Sequence, residues 1–109
     1  MLYYGRMYDE DAQKQLGYLV DITEHGFMLL CEEPIAANET LHIKLELTLD
    51  ISKGPWMYFT AKSLWCEPDI DPNHYNCGFE IIDIKPEDLP IIRDIISAYG
   101  FRDNQMKTG

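Results

Sequence analysis

Apolar and polar residues alternate along most of this chain, and through about residue 84 the repeat is two. The clearest run is 41–49, where Leu41, Ile43, Leu45, Leu47 and Leu49 alternate with His42, Lys44, Glu46 and Thr48. Period two over that length predicts a strand with one buried and one wet face, and it puts His42 in solvent. Residues 2–8, "LYYGRMY", form a shorter β-prone run that "DEDAQK" ends with a polar turn. In "QLGYLVDIT" the alternation places Leu16, Tyr18, Val20 and Ile22 on one face. "FMLLC", residues 27–31, is a short strand behind Gly26, and "EEPIAANE" is a loop. After the turn "DISKGP", the stretch "WMYFTAKSLWC" at 56–66 places Phe59, Ala61, Ser63 and Trp65 on one side. "EPDIDPN" carries two prolines and cannot continue a central strand, so "HYNCGFEIIDI" is the last one. Phe59, Trp65 and Phe79 read as core.

The period then changes. "KPEDLPIIRDIISAYG" has apolar residues at Leu89, Ile92, Ile96 and Tyr99, flanked by Ile91, Ile95 and Ala98. That spacing predicts a helix over about 88–99 with an apolar stripe. Asp88 is the expected N-cap, Pro90 falls in the first turn where its missing N–H costs little, and Gly100 is the expected stop. Residues 101–109 read as a flexible tail. Six strands followed by one helix imply an all-β fold with a C-terminal helix: an antiparallel sheet closing into a small barrel, in one domain spanning 1–109.

Composition narrows the function. The chain has 109 residues, 46% of them hydrophobic, enough for one core. It has no apolar run long enough to cross a membrane as a helix and no signal-peptide pattern at its start, so the expected location is the cytoplasm. Nineteen Asp and Glu against nine Lys and Arg give a net charge of −10, which argues against DNA or RNA as a partner. Cys31, Cys66 and Cys77 are odd in number and lack a C-x-x-C spacing, so free thiols are expected.

Three clusters carry candidate chemistry. In "DITEHG", Asp21, Thr23 and His25 would share one face of a regular strand. A small hydrolase would use Thr23 as nucleophile and His25 as its base. A strand end supplies no oxyanion hole, however, and triads assemble from separate segments. The same residues also make a turn, in which Asp and Thr side chains accept backbone N–H bonds and Gly26 permits positive φ. "DIDPNHYNCGFE" places Asp69, Asp71, Asn73 and Glu80 at calcium-loop positions, but His74 stands where such a loop needs glycine. Cys66, His74 and Cys77 would be three zinc ligands without a fourth. No metal is therefore expected, and no catalytic residue is assigned.

The chain resembles the PilZ domain family, small bacterial β-barrels with a C-terminal helix, many of which bind cyclic di-GMP. "DITEHG" is similar to the family's D/N-x-S-x-x-G motif, with threonine for serine. "AKSLWCEPDIDPNHYNCGFEIIDI" is similar to its penultimate strand, loop and closing strand, in which an apolar strand ending near Trp65 leads to the Gly78-Phe79 pair, and "KPEDLPIIRDIISAYGFRD" to its terminal helix. The resemblance implies that Asp21 accepts N–H bonds from a guanine edge, that Thr23 donates its hydroxyl and that Gly26 lets the backbone come close. Arg6 and Gly78 are weaker candidates for the same ligand. The family's second motif, R-x-x-x-R, grips phosphates. This chain has Arg6, Arg93 and Arg102 with no pair at that spacing, and Glu10 stands four residues after Arg6. By element order the motif would precede Leu2.

The expectation is a non-enzymatic regulatory domain of bacterial cyclic di-GMP signalling. It would act through a protein partner in a signalling or motility pathway, with direct cyclic di-GMP binding weak or absent and no cofactor. One alternative is a true receptor whose arginines lie upstream of residue 1. The other is the hydrolase of Asp21, Thr23 and His25. The exposed side of the helix and the aromatic first strand are candidates for self-association.

Overall fold

A computed structural model describes residues 5–47 and 56–99 of the protein. Residues 2–4, Thr48, Leu49, the turn at 50–55, Gly100 and the tail at 101–109, all assigned from the sequence, lie outside the described residues. The described strands are β1 (Arg6–Asp9), β2 (Lys14–Ile22), β3 (Gly26–Cys31), β4 (Thr40–Glu46), β5 (Trp56–Pro68) and β6 (Tyr75–Asp83). A 3-10 turn at Pro86–Asp88 leads into helix α1 (Leu89–Tyr99). All strand pairs are antiparallel, and the order β1-β2-β3-β6-β5-β4 closes on itself as a barrel. The architecture is thus two three-stranded meanders, β1-β2-β3 and β4-β5-β6, joined by the β3–β6 and β1–β4 pairings.

Period two explains the core. Leu29 and Cys31 of β3, Ile43 and Leu45 of β4, and Met57, Phe59 and Ala61 of β5 all point inward and are buried. Phe27 stacks on Phe79 across β3 and β6, with ring centroids 4.8 Å apart, and meets Phe59 edge-on. Ser63 is the buried polar residue of this interior. Its hydroxyl donates to the Ala36 carbonyl at 2.6 Å and accepts the Glu39 N–H at 2.9 Å, which ties the loop before β4 to β5. A buried hydroxyl is tolerated because both roles are filled.

Strict alternation fails where a strand carries an extra residue. A bulge between Leu19 and Asp21 interrupts the pairing of β2 with β3. Leu19 and Ile22 are therefore the deeply buried residues of β2, while Tyr18, which alternation places on the same face as Ile22, is 37% exposed. A second irregularity between Ser63 and Trp65 turns Trp65 outward, to 40% exposure, so it is not a core residue. One extra residue reverses the face of everything beyond it.

The helix begins about where the pattern placed it, but the 3-10 turn precedes it. The turn's N-cap position is Lys85, whose side chain makes no capping hydrogen bond. Ile91, Ile92 and Ile95 are the helix residues that join the barrel core, with Ile96 packed beside them. The cysteine reading also needs correction. Cys66 and Cys77 stand directly opposite on β5 and β6, their Cα atoms 4.1 Å apart, and are bonded as a disulfide. Pairing depends on the β5–β6 register, which cysteine spacing along the chain does not encode. Cys31 is the free cysteine among the described residues, and burial pushes its thiol up to about 11.

Candidate functional site

The segment "DITEHG" is the tight connection between β2 and β3. Thr23 organises it. Its N–H donates to the Gly26 carbonyl at 2.8 Å, and its hydroxyl oxygen accepts the N–H groups of His25 at 3.1 Å and Gly26 at 3.2 Å. Asp21 accepts the N–H of Ile22 at 2.9 Å. Such short side-chain-to-backbone bonds favour turns over ladders. The His25 carbonyl accepts the Ile81 N–H at 2.8 Å, so the end of β6 is clipped to the same turn.

Gly26 is required for space. Its φ lies outside the left-handed region, contrary to the expectation of a positive φ. A Cβ there would sit 2.4 Å from the Phe79 carbonyl oxygen. Gly78 serves a similar purpose across the groove, where an added Cβ would lie 2.4–2.6 Å from atoms of the Trp65 indole. The missing side chain leaves room for the indole, which stays 40% exposed.

These elements enclose a shallow pocket of about 240 Å³ that spans both meanders. Asp21, Thr23 and Gly26 line one side; Leu64, Trp65 and Gly78 line the other. Four of the five residues expected from the sequence to serve one ligand are thus brought together. Arg6 is not among them: it lies on the barrel exterior against Glu46, with Nε 3.3 Å from a carboxylate oxygen. Among the described residues the lining holds one acid and no lysine or arginine. Trp65 and Leu64 were missed as pocket residues, because the bulge that exposes them leaves no mark in the hydrophobic pattern.

The hydrolase geometry does not assemble. Thr23's hydroxyl is occupied by the turn's own backbone, and among the described residues it makes no hydrogen bond to the His25 ring. The calcium-loop residues are similarly engaged within their loop. Asp69 accepts from Asn76 Nδ2 at 2.9 Å, and Asp71 accepts the Asn73 N–H at 3.0 Å and pairs with His74. The zinc reading loses two ligands to the Cys66–Cys77 bond.

An ion pair links the turn to the helix. Arg93 Nε donates to Glu24 Oε2 at 2.9 Å, and a second guanidinium nitrogen lies 3.4 Å from Oε1. The Arg93 hydrogen bond and charge hold the Glu24 carboxyl below its ordinary range. A depressed carboxyl contributes stability above its unfolded pKa and loses it as pH falls through the folded value. In the Arg93→Ala variant, carboxyl chemical shifts should show Glu24 titrating higher, back in the ordinary range. Wild type and variant should converge in stability as pH falls below about 4. Unchanged Glu24 titration would mean the pair is not formed in solution.

The family model described as PilZ domain matches residues 4–98. No curated protein matches the sequence. Among solved structures, the chain is similar to the Bacillus subtilis inhibitor of motility MotI/DgrA, with TM-score 0.64 and 11% identity. That likeness covers 90% of this chain and 46% of the other, so this chain spans about half of that protein's length. At such identity the likeness shows the fold, and it agrees with the closed six-stranded barrel and C-terminal helix. With the match of the family model over nearly all its length, the chain belongs to the PilZ domain family.

Proposed function

We propose that this chain is a non-enzymatic regulatory domain of bacterial cyclic di-GMP signalling that acts through a protein partner. Asp21, Thr23 and Gly26 are its ligand-facing residues, with Gly78 and Trp65 opposite them. Direct binding of cyclic di-GMP by this chain is weak or absent. The observation that carries this reading is the pocket at the β2–β3 turn, lined by one acid and no described cation.

A charge-assisted hydrogen bond contributes about 1.5–3 kcal/mol. A diphosphate ligand met without arginines forgoes several such bonds, which moves a micromolar site past the millimolar range. The net charge of −10 adds repulsion that salt screens beyond about 8–10 Å. Arg93, the cation at the motif turn, is already engaged by Glu24. The name of the structural relative, an inhibitor of motility, supports a motility pathway as the output.

Calorimetric titration with cyclic di-GMP tests the reading. The expected result is no saturation below about 1 mM. Saturable binding tighter than about 10 μM that Asp21→Ala abolishes would overturn the claim of weak binding and make the chain a direct receptor.

A further inference from the structure

A second groove lies on the barrel exterior, away from the β2–β3 turn. It has a volume of about 450 Å³ and is lined chiefly by Tyr8, Trp56 and Tyr58, with Lys44 on its floor and Asp9 and Glu10 at one end. Strand register sets its layout. Tyr8 of β1 stands opposite Lys44 of β4, and Lys44 stands opposite Tyr58 of β5. The two tyrosines are therefore two strand spacings apart. Lys44 stands between them, with its ammonium drawn over the Trp56 ring, 4.2 Å from the centroid. Trp56 in turn meets Tyr8 edge-on at 5.8 Å. Tyr58 is 43% exposed.

We propose that this groove docks an extended, proline-containing basic segment of a partner protein. Three observations select that occupant. The described strands form a closed barrel with each paired on both sides, so binding through side chains is favoured over strand addition. The groove is aromatic rather than aliphatic, which suits a polyproline II segment whose backbone needs no hydrogen-bond partner. The dimensions agree as well. Two strand spacings are about 9.5 Å, and one polyproline II turn of three residues is about 9.3 Å. Prolines three positions apart would rest on Tyr8 and Tyr58.

Charge sets the flank. Asp9 and Glu10 at the β1 end, on a chain of net charge −10, favour an arginine beside the prolines. The same acids oppose a nucleic-acid strand, the other ligand that stacks on exposed aromatic rings.

The groove rests on the reading that the domain acts through a protein partner, but its test contains no nucleotide. Failure here leaves the cyclic di-GMP titration to decide the ligand site separately. Trp56 and Trp65 are the two tryptophans, so a Trp65→Phe background makes Trp56 the sole reporter. The probe is a twelve-residue peptide with proline at every third position and one terminal arginine. A saturable change in Trp56 emission below about 1 mM is expected. Exchanging the peptide's arginine for glutamate should weaken binding at least tenfold, as should Tyr58→Ala. Glu10→Lys, in an exposed turn, should weaken it threefold or more, and it keeps the test decisive if Tyr58→Ala misfolds. Any of three results overturns the proposal: no saturation with a folded protein, equal binding of the glutamate peptide, or saturation by a ten-nucleotide oligouridine instead.

Discussion

Replacing Ile92 by alanine should lower the stability of the domain by about 3–4 kcal/mol, read as a shift of the urea midpoint at unchanged slope. Ile92 is fully buried, and so is Ile95 one turn on. An isolated helix of this length is marginal in water, so α1 exists because its apolar stripe completes the barrel core. The lost side chain removes transfer free energy and leaves a cavity that a closed barrel can only partly collapse. Small domains hold about 5–15 kcal/mol in all, so this substitution consumes a large share. Asp94→Ala, on the exposed side of the same helix, is the control and should change stability by less than about 0.5 kcal/mol. A loss below about 1 kcal/mol for Ile92→Ala would mean that the helix is a separate appendage.

Gly26→Ala should cost about 2–3 kcal/mol although it adds only a methyl group. The new Cβ would meet the Phe79 carbonyl oxygen at 2.4 Å, with two more backbone atoms within 3.6 Å. Backbone cannot rotate away as a side chain can, so β3 must move off β6, where Gly26 and Glu80 are paired. Gly78→Ala creates a contact equally short on paper, but its neighbour is the partly exposed Trp65 ring, which can swing outward. Its cost should be smaller, and it should be accompanied by a red shift of tryptophan emission. Equal losses for the two variants would show that the indole is held as firmly as the backbone.

Much of this fold was legible from one-dimensional pattern. In Ile43, Leu45, Phe59 and Ala61 the alternation maps directly onto burial, because the β4–β5 ladder runs through all four in unbroken register. It failed at Tyr18 and Trp65 for a shared reason. A bulge is decided by the register of two strands, and neither strand's own sequence marks it. The site divides the same way. Asp21, Thr23 and Gly26 fall within six positions around one turn and are visible as a motif. Leu64 and Trp65 reach the pocket through the irregularity in the pairing of β5 with β6. The Arg93–Glu24 contact joins the terminal helix to the β2–β3 turn, so only the folded barrel reveals it. Cys66 and Cys77 look like separate thiols along the sequence for want of the same register.

The pairing of two meanders also bears on how the chain reaches its native state. Within each meander, neighbouring strands are close in sequence and their hairpins close cheaply. The β3–β6 and β1–β4 ladders join distant residues and require the loops between them to be ordered first. These ladders should therefore form late on the folding pathway. Destabilisation at Gly26 should then appear mainly as faster unfolding, with the folding rate little changed. A ligand held between Thr23 and Gly78 would grip both meanders at once. It would act as a brake on unfolding, and its occupancy would be measurable as the lifetime of the native state even where the equilibrium shift is small.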